Sequence, residues 1–310
     1  MTYKIYSKAS RTLVPLFFIL VLVIQISCTD DESFTKSPTA ILSFPCDTLK
    51  LDTAISGIAT STYSFVIRNH NSQGIKIVKA SLDNGEASGF QVAVDGVNIN
   101  DSYNHAIEVR KKDSITVYVK LKTKENNDDA VRTVSDKISF MLESGTIQTV
   151  TLLGYSQDVN TLSNLVIEKD TVLQSTRPFH VLGNLKVAEG KTLSIAPGTV
   201  LLFSPTSEMI VDGTLKALGT LDSAIVFKGD RLDHMFTNQP YDRIAGQWKG
   251  ITFTSTSFYN TFDFCDIHSG CYGIKCDSSD ISEIKLKVEN SIVHNMKGDC
   301  MTLINSNVFV

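Results

Sequence analysis

The sequence has no run of Lys and Arg longer than Arg110-Lys111-Lys112. Neutralising phosphates with such side chains supplies most nucleic-acid affinity, so nucleic acid is excluded as a partner. It has six cysteines, none in CxxC spacing, which argues against both a zinc ribbon and a disulfide framework. No apolar run reaches the roughly 20 residues that a membrane-crossing helix needs. Nothing resembles a phosphate loop, a nucleophile elbow or a zinc motif, so no cofactor and no metal ligand is expected. From residue 40 to 155 apolar residues never recur at helical spacing, which leaves an all-β chain.

The N-terminus is the most legible segment. Lys4, Lys8 and Arg11 precede an apolar run of about a dozen residues that contains Pro15, and small Ser27 stands before Cys28. That is the build of an export signal, residues 1–27, to be removed by cleavage. Ile26-Ser27-Cys28 resembles the lipobox of bacterial lipoproteins, although Gln25 stands where that family prefers an aliphatic residue. The resemblance implies a diacylated Cys28 and an outer-membrane lipid anchor in the cell envelope. Residues 28–39, with the acids Asp30, Asp31 and Glu32, read as a tether. They resemble the acidic tag of some surface-exposed lipoproteins. Without residues 1–27 the chain carries 26 Lys+Arg against 33 Asp+Glu, a net of about -7.

About 280 remaining residues exceed one ordinary domain, and the pattern changes near residue 157. Residues 40–156 alternate apolar and polar over short runs, such as Phe65, Ile67, then Ile75, Ile77, then Phe90, Val92, Val94, with polar turns between them. That is the pattern of an antiparallel sandwich. The order of these pieces resembles the immunoglobulin-like N-terminal module of a group of bacterial envelope lipoproteins, whose usual role is a spacer.

From 160 to 310 the unit shortens to apolar triplets closed by Gly or Pro corners: Leu185-Lys186-Val187, Leu193-Ser194-Ile195, Ile210-Val211, Leu215-Lys216-Ala217, Ile251-Thr252-Phe253. Three brief strands per turn, with Gly183, Gly190, Gly198, Gly213, Gly219 and Gly250 at bends, match the repeating coil of a β-helix, which buries its core only by stacking. The run Gly190-Lys191-Thr192-Leu193-Ser194-Ile195-Ala196-Pro197-Gly198 resembles the opening coil of right-handed β-helix lipoproteins. So does Gly246-Gln247-Trp248-Lys249-Gly250. The family largely lacks an assigned reaction. The expected architecture is therefore an immunoglobulin-like β-sandwich followed by a right-handed parallel β-helix. Its last phrase, ending at Val310, shows no cap, so further coils are expected to follow.

Right-handed β-helices include pectate lyases and polygalacturonases, so an enzyme has to be weighed against a scaffold. The Asn-Thr-Asp and His-Gly phrases of the hydrolases are missing, and Asp30-Asp31 and Asp128-Asp129 lie outside the β-helix. Asp263, Asp266 and His268, with Asp277 and Asp280 further on, are the acids that a calcium-assisted lyase would draw on. Alternation also makes them an ordinary solvent-facing edge. Residues 228–246 form a long insertion, the kind of loop that carries function. Arg231, His234 and Tyr241, with Trp248 just beyond, are its candidates for stacking on and hydrogen-bonding a sugar; Arg231 and Asp242 also suit a loop pinned onto the sheet. Asn290, Asn295 and Asn305 invite an asparagine ladder, and Cys265, Cys271, Cys276 and Cys300 a set of reduced, buried thiols. The expected function is a non-catalytic, lipid-anchored envelope scaffold or glycan-binding protein. A polysaccharide-active enzyme and a surface adhesin are the alternatives. The expected partners are the membrane and a polysaccharide or envelope protein.

Overall fold

The computed structural model describes residues 32–99, 106–236 and 238–310. The expected signal, Cys28 and the start of the tether lie outside the described residues. Among the described residues no helix is long and apolar enough to cross a membrane.

Alternation in residues 48–157 produces two facing sheets. One orders Thr48–Ile55, Ile147–Gln157, Arg132–Leu142, Ile75–Leu82 and Ile107–Val109; the other orders Tyr63–Arg68, Ser114–Leu121, Phe90–Val94 and Val97–Asn98. Pairing is antiparallel except that the first strand runs parallel to Ile147–Gln157. Every second residue turns inward. Ile67, Val94, Val117, Val119, Ile138, Phe140 and Leu152 are all sealed from solvent, each such side chain contributing about 1.5–3 kcal/mol of burial. The result is an immunoglobulin-like sandwich. Residues 32–39, read as tether, are laid along it. Phe34 bridges Gly74 beneath the Lys76 ammonium, and the Lys111 amide donates to Glu32 at 2.7 Å.

The chain then winds through three six-stranded parallel sheets. Each coil gives one strand to each sheet: Asn184–Val187, Thr192–Ile195 and Val200–Phe203 are successive, and the next coil lays Glu208–Val211, Thr214–Leu218 and Ile225–Gly229 upon them. This is a parallel β-helix. Inward residues stack in register, Leu185 on Met209, Leu193 on Leu215, Leu201 on Phe227, all fully buried. The corners follow from sterics. Gly183 has φ +78°, and Gly213 lies so close to the Lys191 and Ala188 carbonyls that a Cβ would meet them at 2.2 and 2.3 Å.

Two sequence expectations change here. The asparagines form no amide ladder. Asn290, Asn295 and Asn305 occupy corners with φ +47°, +53° and +36°, a backbone that Asn tolerates better than most residues. Their amides bond Asp263, the Arg243 carbonyl and Ser278. The cysteines divide as well. Cys265 and Cys276 are core residues, and burial pushes their thiols up to about 12 and about 11, whereas Cys271 is half-buried and Cys300 exposed.

Candidate functional site

The long insertion leaves the β-helix after Ile225–Gly229, forms a hairpin of His234–Phe236 with Gln239–Pro240, then a 3-10 turn at Tyr241–Arg243, and returns through Trp248. It folds against the sandwich. A register shift between Lys50 and Thr53, where the strand bulges, re-aims Asp52 out of the first strand. Its carboxylate accepts the His234 amide at 2.8 Å, His234 Nδ1 lies 2.9 Å away, and Tyr63 donates its hydroxyl at 2.7 Å. Burial and this carboxylate both push the Tyr63 phenol well above its ordinary range.

Beside that contact Arg231 grips Asp233 with two parallel bonds of 2.7 and 2.6 Å, while Ser61 of the sandwich donates to the same carboxylate at 2.9 Å. Burial alone would raise the Asp233 carboxyl, but the Arg231 fork and the Ser61 hydroxyl hold it below the usual range. The Arg231 guanidinium also stacks 3.7 Å from the Tyr241 ring. Arg231, His234 and Tyr241 therefore each make a contact within the protein, while the Arg231 and His234 side chains remain 39% and 44% exposed. A cleft of about 170 Å³ remains between the domains, lined by Lys228, Arg231 and Asp242 among others. Asp242 Oδ1 is buried there without a protein partner.

At the other side of the junction, Asp129 accepts from Thr176 at 2.7 Å and from Arg177 Nε at 2.6 Å. Asp158, sealed at 2 % exposure, takes the Ser56 hydroxyl and the Asn126 and Asp128 amides. Asp52, Asp233 and Asp129 thus hold the sandwich to the β-helix, and Asp158 fastens the segment between them to the sandwich.

Trp248 has no free face. It is fully buried, its ring stacked 4.2 Å from Phe203 and its Nε1 donating to the His268 carbonyl at 2.8 Å. It belongs to the core, where a sugar ring cannot reach it.

The acids read as one edge separate. Phe264 takes a left-handed backbone, φ +46°, which ends Asn260–Asp263 and starts Cys265–His268 in another sheet. Asp263 therefore turns away and binds Asn290 at 2.9 Å; Asp277 pairs with Lys275, and Asp280 caps Ser282. Asp266 and His268 stay together on the outer face, and the next coil adds His294, which pairs with His268 in register. One carboxylate oxygen, Asp266 Oδ1, lies 2.8 Å from His268 Nδ1 and 2.9 Å from His294 Nε2. The two imidazoles stack at 4.8 Å with 27° between planes. Burial works to raise the Asp266 carboxyl, and the two imidazoles outweigh it and hold it below its ordinary range. His294 was not singled out from the sequence. The signal was there in the parallel phrases Asp266-Ile267-His268 and Ile292-Val293-His294, legible once the coils are aligned.

A concavity of about 550 Å³ lies away from this chemistry, on the sandwich, against Phe90, Tyr118 and Lys120.

No protein-family model matches the chain, and no curated protein does. Among solved structures the chain is similar, at TM-score 0.28 and 11% identity, to a family 123 glycoside hydrolase from Clostridium perfringens, over 37% of this chain and 26% of that one. The chain thus spans about a quarter of that hydrolase's length. It is also similar, at TM-score 0.25 and 11% identity, to the ASH/PapD-like domain (PapD-like domain 7) of human CEP192, over 40% of this chain and 90% of that one. Likenesses this distant carry no argument about activity.

Proposed function

We propose that the protein is a non-catalytic, lipid-anchored component of a bacterial cell envelope, in which the sandwich holds the β-helix at a set angle and presents its outer faces to a glycan or another envelope component. The observation that carries this reading is the condition of the insertion. Its candidate ligand-binding side chains, Arg231, His234 and Tyr241, are engaged with Asp233, Asp52 and one another. These contacts reach the sandwich through Asp52 and Ser61, which is the arrangement of a clamp between two domains. The anchoring half of the proposal rests on Lys4, Lys8, Arg11 and the Ser27-Cys28 junction.

The enzymatic alternative has less support. A glycosidase needs two carboxylates aimed across one bond, whereas Asp263 is taken up by Asn290 and Asp266 by His268 and His294 on a different sheet. Two experiments test the proposal. Cys28→Ala should move the protein from the membrane fraction to the soluble envelope fraction, and continued pelleting with membranes would contradict the anchor. Incubation with acidic and neutral polysaccharides, with and without calcium, should give retention without cleavage. New reducing ends or unsaturated uronates would establish an enzyme instead.

A further inference from the structure

We infer that Asp266, His268 and His294 form a binding site for a divalent first-row transition metal of the zinc type, which staples two successive coils of the β-helix. The inference stands apart from the anchoring and scaffold reading, since it concerns only the chemistry of one outer face.

The argument begins with register. In a strand alternate residues share a face, so Asp266 and His268 project from the same side of Cys265–His268. Parallel stacking places His294 beside His268 one coil on, and no loop closure is needed to bring the three together. The three donor atoms lie within 4.8 Å of one another. A zinc-type ion holds nitrogen and oxygen donors at about 2.0–2.2 Å, which sets adjacent donors roughly 3 Å apart. The two Asp266 contacts, 2.8 and 2.9 Å, already have that spacing. Only the imidazole nitrogens have to adjust, and Asp266 would exchange two N–H donors for one cation.

The protonation balance is simple. Each neutral ring carries one proton, so placing it on His268 Nε2 and on His294 Nδ1 frees His268 Nδ1 and His294 Nε2 as lone-pair donors without net proton loss.

Burial is graded in a way that suits a site with one open side. The His268 side chain is 8% exposed, held under its neighbours, while Asp266 and His294 are 35% and 37% exposed and face the ion's path of entry. Three protein ligands leave at least one coordination position toward solvent. Two imidazoles and a single carboxylate select a transition metal over calcium or magnesium, which require mainly oxygen. The other histidine–carboxylate contacts are different in kind. His180 with Asp230 and His234 with Asp52 each pair one ring with one acid. On the preceding coil Lys228, which follows the Phe227 paired with Ile267, turns its ammonium onto Asp242 at 3.4 Å.

The test is a titration of the purified, chelator-treated protein with Co²⁺ and with Zn²⁺. The expected result is one ion per chain, with cobalt d–d absorption and no thiolate charge-transfer band. His294→Ala and Asp266→Asn should each weaken binding at least tenfold while leaving the far-ultraviolet circular dichroism unchanged. Cys271→Ser, Cys300→Ser and His70→Ala should leave binding as it is. Both ligand variants alter half-buried side chains outside the core, and the unchanged circular dichroism separates loss of binding from loss of fold. No binding, binding that survives both variants, or binding that disappears with the cysteines would overturn the inference.

Discussion

The two halves of the molecule are made of the same material, short strands with inward aliphatic residues, yet they differ in what each strand depends on. In the sandwich Thr48 pairs with Thr151 and Tyr63 with Val119, so the core closes only when distant parts of the chain have met. In the β-helix Phe179 pairs with Leu201 and Leu193 with Leu215; each coil rests on the one before it and supports the one after. Such stacks behave as nearly one-dimensional arrays of units and interfaces. The sandwich is therefore the single cooperative block and the β-helix the graded one. The insertion at residues 230 to 246 is where a graded stack acquires long-range contacts, through Asp52 and Ser61.

The largest effect should come from the sandwich core. Phe140 is fully buried and packs on Phe44 at 5.4 Å; Phe140→Ala should cost about 3–5 kcal/mol and remove hydrogen-exchange protection from both sandwich sheets together. Protection lost only around Arg132–Leu142 would break the comparison. Trp248→Ala has a similar expected cost, about 3–5 kcal/mol, but exchange should rise mainly in Val200–Phe203, Ile251–Phe253 and Cys265–His268, leaving Thr171–Leu173 protected. Uniform loss across the β-helix would show that it too unfolds as one block.

At the junction, Asp233→Ala should cost about 1–3 kcal/mol by orphaning Arg231 and Ser61. Acid should mimic it. The Asp233 carboxyl is held below its unfolded value near 3.9, so its contribution is fully present above about pH 4 and disappears as pH falls through the lower folded value. Thermal scans between pH 7 and pH 2 should show wild type converging on Asp233→Ala at the acid end; a constant gap would contradict the assignment. The smallest effect belongs to Arg177→Ala. It removes a contact to a largely exposed Asp129, and its unfolding midpoint should be indistinguishable from wild type.

Much of this was readable in advance because period and corner chemistry are local. Phe90, Val92 and Val94 announce an inward face, and Gly183 or Gly190 a corner, without reference to any other part of the chain. The clamp was not readable, because His234 and Asp52 are 182 residues apart and nothing in either neighbourhood names the other. Arg231 and Tyr241 have the composition of a sugar-binding loop and of a domain clamp alike; only the position of the sandwich separates the two. The Asp266 cluster was half-readable. Asp266 and His268 stood together, but the left-handed turn at Phe264 removed Asp263 from the group, and His294 entered through a coil register that irregular coil lengths conceal.

The most direct test is native-state hydrogen exchange of residues 230 to 246 in wild type and in Asp52→Ala. A clamp predicts slow exchange of the His234 amide, which Asp52 accepts at 2.8 Å, and fast exchange of the hairpin once Asp52 is removed. Fast exchange already in the wild type would contradict the clamp and return the insertion to the role of an open binding loop.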